Sequence, residues 1–101
     1  MNDDLVTAVA EALKCVIDPE LGYNIVDLGL VYDIAVENGA ASVRMTTTRP
    51  GCPAASALQH GAEEATRAVA GVTSVEVNMT WLPPWSPDLM SNAAKQHFGF
   101  G

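Results

Sequence analysis

The fold is decided by residues 30–47, which read LVYDIAVENGAASVRMTT. Apolar residues alternate with polar ones on both sides of Asn38-Gly39, a period typical of strands that bury one face. Asn38-Gly39 is a strong hairpin signal because both residues tolerate the positive φ angles of a type I′ turn. The stretch therefore predicts two antiparallel strands, over residues 30–36 and 41–47, that are neighbours in one sheet.

Helical patterns lie on both sides of the hairpin. Apolar residues at helical spacing from Leu5 to Val16 predict a first helix, which ends before Asp18 because a residue that precedes proline disfavours helical backbone angles. An alanine-rich pattern over residues 53–70 predicts a second helix, with Gly71 as its C-terminal cap. Small side chains would let this second helix lie close to the sheet.

The remaining segments complete a small α+β architecture. Residues 75–81 alternate as a third strand, and Ser86 begins a third helix that Gly99 ends. Residues 18–29 are too broken for a strand but apolar enough to fold onto the core. We therefore predict a two-layer sandwich with a three-stranded sheet, in the order helix, hairpin, helix, strand, helix, and a single domain over residues 1–101.

Charge and hydropathy exclude several classes of partner. The chain has 12 acidic residues against five lysines and arginines, a formal net charge of −7, and no basic stripe. This balance would repel a phosphate backbone, so no nucleic acid partner is expected. No secretory signal is recognisable, and no apolar run approaches the roughly 18 residues that span a membrane. We therefore predict no membrane association and a cytoplasmic protein, in which Cys15 and Cys52 remain free thiols.

Cys52 has the local sequence expected of a reactive thiol. It lies in the run TTTRPGCP, residues 46–53, between a predicted strand and a predicted helix. Pro53 suits the first helical position, which makes Cys52 the predicted N-cap. Unpaired N–H groups, the helix dipole and the nearby Arg49 would favour its thiolate, which can attack an electrophile or bind a soft metal. The structural alternative is a small buried apolar side chain.

Other candidate ligands are poorly placed. Cys15 falls among apolar residues near the end of the first helix, so we expect it to pack in the core. His60 lies eight positions after Cys52 on one predicted helix, a rise of roughly 12 Å, which prevents the two from sharing an ion. His97 lies in another element, and ordinary surface or half-buried roles are expected for both histidines. The chain has no closely spaced pairs of cysteines or histidines for a closed zinc site.

The acidic residues of segment 18–29 leave two interpretations open. Asp18 precedes Pro19 and would cap a short turn that begins there, the interpretation that propensity favours. Alternatively, Asp18 is an active-site carboxylate held near Cys52, with Glu20 and Asp27 in the same structured connection.

Three segments together resemble a known family. Residues 18–21 (DPEL), 25–32 (IVDLGLVY) and 46–53 look like the signature of the SufT/PaaD-like metal-sulfur cluster assembly family, and residues 83–87 (PPWSP) agree with it. The resemblance implies a small α/β domain that helps to mature iron-sulfur proteins. It also implies that Cys52 is the functional thiol and metal-binding residue. Asp18 and Thr48 carry over as supporting positions, and Glu20 follows them.

The resemblance also implies the cargo and the partners. One thiolate could hold iron or an iron-sulfur cluster only transiently, with further ligands from a second subunit, a client or a small thiol. The expected partners are iron-sulfur clients or assembly proteins. Separately from the resemblance, the shortage of ligands on one chain favours a homodimer. No cysteine-rich extension like that of the phenylacetate-pathway members follows residue 101, so the chain resembles the single-domain branch.

The main hypothesis is a non-enzymatic assembly factor without catalytic residues. The alternatives are a thiol-dependent enzyme or redox module that uses the same cysteine, and an adaptor in which the cysteine loop is purely structural.

Overall fold

Three helices and five strands make up the part of the fold that the structure describes. A computed structural model of the chain describes residues 2–48, 51 and 53–99. In chain order the elements are α1 (Asn2–Leu13), β1 (Ile17–Asp18), β2 (Tyr23–Asn24), β3 (Val31–Glu37), β4 (Ala40–Met45), α2 (Ala55–Arg67), β5 (Ser74–Met79), a 3-10 turn (Pro87–Leu89) and α3 (Asn92–Phe98).

The main sheet has the strand order β3-β4-β5. The predicted hairpin is confirmed: β3 and β4 are antiparallel, and Asn38 and Gly39 take φ angles of 52° and 82° at the turn. Strand β5 lies parallel to β4, which is possible because α2 crosses between them. The predicted α+β sandwich, with helices on a three-stranded sheet, is therefore confirmed.

Helices α1 and α2 cover one face of the main sheet. Helix α1 packs on β3, helix α2 packs on β5, and the two helices contact each other. A Cβ atom on Gly61 of α2 would lie 3.2 Å from the side chain of Val16, so the lack of a side chain there lets the chain after α1 approach α2. The opposite face carries exposed polar residues, including Asp33, Arg44 and Asn78, which are neighbours across the strands.

The core is apolar and almost fully enclosed. Its buried residues come from both helices of the covering layer, from all three strands of the main sheet and from the segments that flank them; they are Val9, Leu13, Ile25, Leu28, Leu30, Val36, Ala41, Val43, Met45, Leu58, Ala62, Val77, Met90 and Ala94. Burial of a large aliphatic side chain contributes about 1.5–3 kcal/mol. Among the described helices, none is long and apolar enough to cross a membrane.

Segment 18–29 contains two short strands, which corrects the prediction that it forms none. Strands β1 and β2 pair antiparallel, with Asp18 opposite Tyr23. The turn between them is closed by a hydrogen bond of 2.7 Å from Gly22 N–H to the Asp18 carbonyl, and Gly22 takes a φ of 69°. Ile25 and Leu28 are fully buried, as expected for a connection that folds onto the core.

Helix α2 is shorter at both ends than predicted. It begins at Ala55, and its N-cap is Ala54, so the prediction that Cys52 is the N-cap is wrong. Its C-cap is Ala68, whose N–H already bonds to the carbonyls of Glu64 and Thr66, so Gly71 does not cap the helix. Gly71 instead takes a φ of 96° in the turn toward β5, where a Cβ atom would lie 3.0 Å from the Leu5 side chain.

The N-cap of the last helix lies five residues later than predicted. Ser86 precedes only the 3-10 turn, and the extended backbone of Met90 separates that turn from α3. Ser91 is the N-cap of α3, because its hydroxyl oxygen accepts the Ala94 N–H at 3.2 Å. Gly99 ends the helix with a φ of 83°, as predicted.

One buried hydroxyl generates a stability prediction. Thr66 of α2 is fully buried, and its hydroxyl has no hydrogen-bond partner among the described residues. Thr66→Val keeps the shape of the side chain and removes the unpaired polar atom, so we expect the free energy of unfolding to rise by about 1 kcal/mol in urea titrations. Thr66→Ser, which keeps the hydroxyl, is the control. A valine variant less stable than the wild type would contradict this account.

Candidate functional site

The loop that carries Cys52 rises from the buried end of β4. Cys52 itself, together with Arg49 and Pro50, lies outside the described residues. Thr46 and Thr47 are buried, Thr48 is half-buried, and Gly51 is exposed with a φ of 74°. Pro53 is exposed as well. The chain therefore leaves the core over residues 46–48 and is at the surface on both sides of Cys52.

Two aromatic side chains hold the start of this loop. Trp81 Nε1 donates a hydrogen bond of 2.9 Å to Thr47 Oγ1. The Tyr32 hydroxyl donates a bond of 2.7 Å to the Pro83 carbonyl. Burial raises the pKa of Tyr32, and a hydrogen bond with the Thr46 side chain acts in the opposite direction. The threonine run is thus linked to β3 and to the segment that follows β5.

An apolar pocket of about 300 Å³ lies beside the loop. Its lining combines Thr48 with apolar side chains from the turn after β1 and from the C-terminal segment; the lining residues are Leu21, Thr48, Trp85, Pro87, Met90 and Phe98. Trp85 is fixed by a hydrogen bond of 2.7 Å from its Nε1 to the Leu28 carbonyl. The pocket therefore brings together three sequence segments that are distant along the chain.

Asp18 acts as the cap of a turn. It is 1% exposed, and its Oδ1 accepts the backbone N–H groups of Glu20 at 2.7 Å and Leu21 at 3.3 Å. These bonds are those of the turn that propensity favours, and they place Leu21 where it lines the pocket. Glu20 is exposed on the same turn. The described residues do not include Cys52, so a pairing of Asp18 with the thiol remains a prediction.

Asp27, which the sequence placed among the acids of the structured connection, organises that connection through hydrogen bonds that the sequence analysis did not predict. The Asn24 side chain donates to Asp27 Oδ2 at 2.7 Å and accepts the Asp27 N–H at 2.8 Å, and the Ser91 N–H donates to the Asp27 carbonyl at 2.8 Å. The bond from Asn24 is the main cause that lowers the pKa of Asp27; burial opposes it, and Ser91 and Lys14 add to it. The three-residue spacing from Asn24 to Asp27 is the sequence signal from which these hydrogen bonds could have been predicted.

The other candidate ligands lie apart from one another. Cys15 is exposed, which corrects the prediction that it packs in the core. Helix α1 ends at Leu13, so Cys15 belongs to the turn that follows rather than to the apolar stripe. His60 and His97 are both exposed: His60 faces Glu64 at 3.8 Å, and the His97 ring lies 4.9 Å from that of Tyr23. Within the described part of the chain, no three His, Cys, Asp or Glu side chains are grouped closely enough to hold a metal ion.

Known proteins similar to this chain agree in family and in fold. The family model described as iron-sulfur cluster assembly protein matches residues 7–78. The Fe-S protein maturation auxiliary factor YitW of Bacillus subtilis is 41% identical over 100 residues, which cover 98% of each chain. The Fe-S protein maturation auxiliary factor SufT of Staphylococcus aureus is 42% identical over 85 residues, 83% of this chain and 97% of that protein.

A solved structure gives the same architecture. The crystal structure titled as a domain of unknown function, DUF59, from Bacillus anthracis superposes with a TM-score of 0.92 at 40% identity, covering 98% of this chain and 95% of that one.

The lowered pKa of Asp27 predicts a pH dependence of stability. A carboxylate whose pKa is lower in the folded state than in the unfolded state stabilises the protein at pH values above its ordinary pKa of 3.8. This stabilisation is lost as the pH falls through the pKa of the folded state. In Asp27→Asn the free energy of unfolding should therefore fall less steeply below pH ~4 than in the wild type. Asn24→Ala should also make the free energy of unfolding depend less on pH in this range, because the bond from Asn24 is the main cause of the lowered pKa of Asp27. Equal acid dependence of wild type and Asp27→Asn would contradict the assignment.

Two substitutions test the role of Asp18 in its turn. Asp18→Ala removes the acceptor for two backbone N–H groups, so we expect the free energy of unfolding to fall by about 1–2 kcal/mol. Asp18→Asn keeps a side-chain oxygen and should lose less than half as much. Chemical denaturation measures both. Equal losses for the two variants would show that the negative charge, and not the acceptor geometry, is what the turn requires.

Proposed function

Because this chain belongs to the iron-sulfur cluster assembly protein family, we propose that it is an accessory factor in the maturation of iron-sulfur proteins and works through the thiol of Cys52. The observation that carries the proposal is the position of the cysteine loop. Gly51 and Pro53 are exposed on either side of the cysteine, and Thr48 of the same loop lines the apolar pocket. The exposure of both neighbours supports a thiol that protein partners can reach.

The start of α2 supports a role for Cys52 as a thiolate. Helix α2 is 13 residues long, and its N-cap, Ala54, has no side-chain acceptor for the first N–H groups of the helix. These groups and the positive end of the helix dipole favour a negative charge close to the helix start. Cys52 precedes the N-cap by two residues in the sequence, so in this proposal it is a neighbour of the helix start and not the cap itself. A thiolate is a soft ligand that suits iron and iron-sulfur clusters.

Iron or an iron-sulfur cluster is the cargo in this proposal. A cluster needs more ligands than one thiolate, so the remaining ligands come from a client, a small thiol or the second subunit of a homodimer. An incomplete ligand set favours transfer over storage. The relatives named as maturation auxiliary factors support iron-sulfur proteins or their assembly proteins as the partners.

The supporting positions have distinct tasks in this scheme. Thr48 links the cysteine loop to the wall of the pocket, and Asp18 shapes the turn that carries Leu21 to the opposite wall. Glu20 is exposed on that turn and gives the rim of the site a negative charge. All of them act by shaping the surface around the thiol, which fits an assembly factor and requires no catalytic residue.

Anaerobic reconstitution tests the role of Cys52. The purified protein is incubated with ferrous iron, sulfide and glutathione, then desalted and examined by visible absorption. We expect sulfur-to-iron charge-transfer bands in the wild type and their loss in Cys52→Ser, because the substitution removes the soft ligand. Cys15→Ser is the matched control, since Cys15 is an exposed thiol outside the site, and it should retain the bands.

Each outcome bears on the proposal. Equal absorption in the wild type and in Cys52→Ser would overturn it. Absorption lost equally in both serine variants would also overturn it, because both thiols, and not Cys52 alone, would then be required. Multiple turnovers of a thiol substrate by iron-free protein would replace it by the alternative of a thiol-dependent enzyme.

A further inference from the structure

The indole of Trp81 contacts the cysteine loop at the point where sheet pairing ends. The pairing of β4 with β5 ends at Met45 and Met79. Beyond it, the Thr80 N–H still donates to the Met45 carbonyl at 2.9 Å, and the Thr46 N–H donates to the Leu30 carbonyl at 2.8 Å. Backbone pairing therefore fixes the chain as far as Thr46.

The side chain of Thr47 is bound by a residue that follows the neighbouring strand β5. Trp81 follows β5, 34 positions later in the sequence, and its Nε1 donates to Thr47 Oγ1 at 2.9 Å. Thr47 is 1% exposed and Trp81 is half-buried, so the bond is partly shielded from water, and an acceptor left without its donor there is costly. An indole N–H is only a donor, and its rigid ring fixes the direction of the bond. Both features make Trp81 a precise constraint on the position of Thr47.

We propose that Trp81 is a positioning residue for Cys52: through Thr47 it sets where the cysteine loop leaves the core and how Thr48 meets the pocket. The inference rests on the proposed function of Cys52 as the working thiol. Trp81 acts through the loop and contacts no cargo in this scheme. Its removal should therefore change the reactivity of the thiol more than it changes the stability of the fold.

Alkylation of Cys52 is the direct readout, because its rate depends on the thiolate fraction and on access to the sulfur. The rate with iodoacetamide is measured between pH 6 and pH 10 in a Cys15→Ser background, so that one thiol reacts. Trp81→Phe keeps an aromatic ring and removes the N–H donor. We expect its rate at neutral pH to fall, by up to about fivefold, the limit reached when the whole effect of one ordinary hydrogen bond on an equilibrium is passed on to the thiol. The midpoint of the pH profile should rise with it.

A double-variant cycle assigns the effect to this bond. Thr47→Val removes the acceptor together with the other contacts of the hydroxyl, and the double variant with Trp81→Phe isolates the share that depends on the indole. We expect the double variant to react no more slowly than Thr47→Val. Ser91→Ala is the matched stability control, because it removes the N-cap of α3 and leaves the bond from Trp81 to Thr47 in place. It should lower the melting temperature and keep the wild-type alkylation profile.

The outcomes separate this inference from the proposed function. The positioning role would be overturned if Cys52 in Trp81→Phe were alkylated as fast as in the wild type. It would also be overturned if the alkylation rate fell no more than it does in Ser91→Ala. Additive effects in the double variant would also overturn it. Alkylation needs no iron, so slower alkylation of Cys52 in Trp81→Phe supports the positioning role whatever the reconstitution experiment gives. Charge-transfer bands that persist in Cys52→Ser would overturn the proposed function alone.

Discussion

The pairing of β4 on both of its edges is the constraint on which the rest of the structure depends. One edge pairs antiparallel with β3 through a tight hairpin, and the other pairs parallel with β5 across α2. The parallel pairing forces the chain to leave the end of β4, cross the sheet as a helix and return. The cysteine loop is the first part of that crossing. Its place at the C-terminal end of a central strand thus follows from the topology, before any side chain near it is considered.

Local patterns were sufficient for the elements whose signals are local. The alternation around Asn38-Gly39 predicted the hairpin, because turn geometry and strand period are set by neighbouring residues. Helix ends were predicted less well. Ser86 and Ser91 are both residues that suit an N-cap. Helix α3 is capped by Ser91, whose N–H donates to the carbonyl of Asp27 in a distant segment. Such a contact is absent from any local pattern.

For the candidate site, too, the residues with a local sequence signal were predicted and those with distant partners were missed. Thr48 and Asp18 were found because their short segments match a family signature, and the structure connects both segments to one pocket. Trp81 and Tyr32 were missed because their hydrogen-bond partners are 34 and 51 positions away. The exposure of Cys15 was missed because α1 ends two residues before it. Sequence patterns thus proposed the candidate residues, while the hydrogen bonds that hold their segments in place depend on the tertiary fold.

The parallel pairing of β4 with β5 also sets an order of assembly. The hairpin needs only the closure of a short turn, whereas Ala40 and Ser74 must meet across 34 residues, and loop-closure entropy delays contacts of that kind. Segment 81–90, which supplies the Trp81 indole and half of the residues that line the pocket, is tethered only after β5 has docked. A nascent or partly unfolded chain would therefore display the cysteine loop without the surrounding surface, which is complete only after β5 and the segment that follows it have docked.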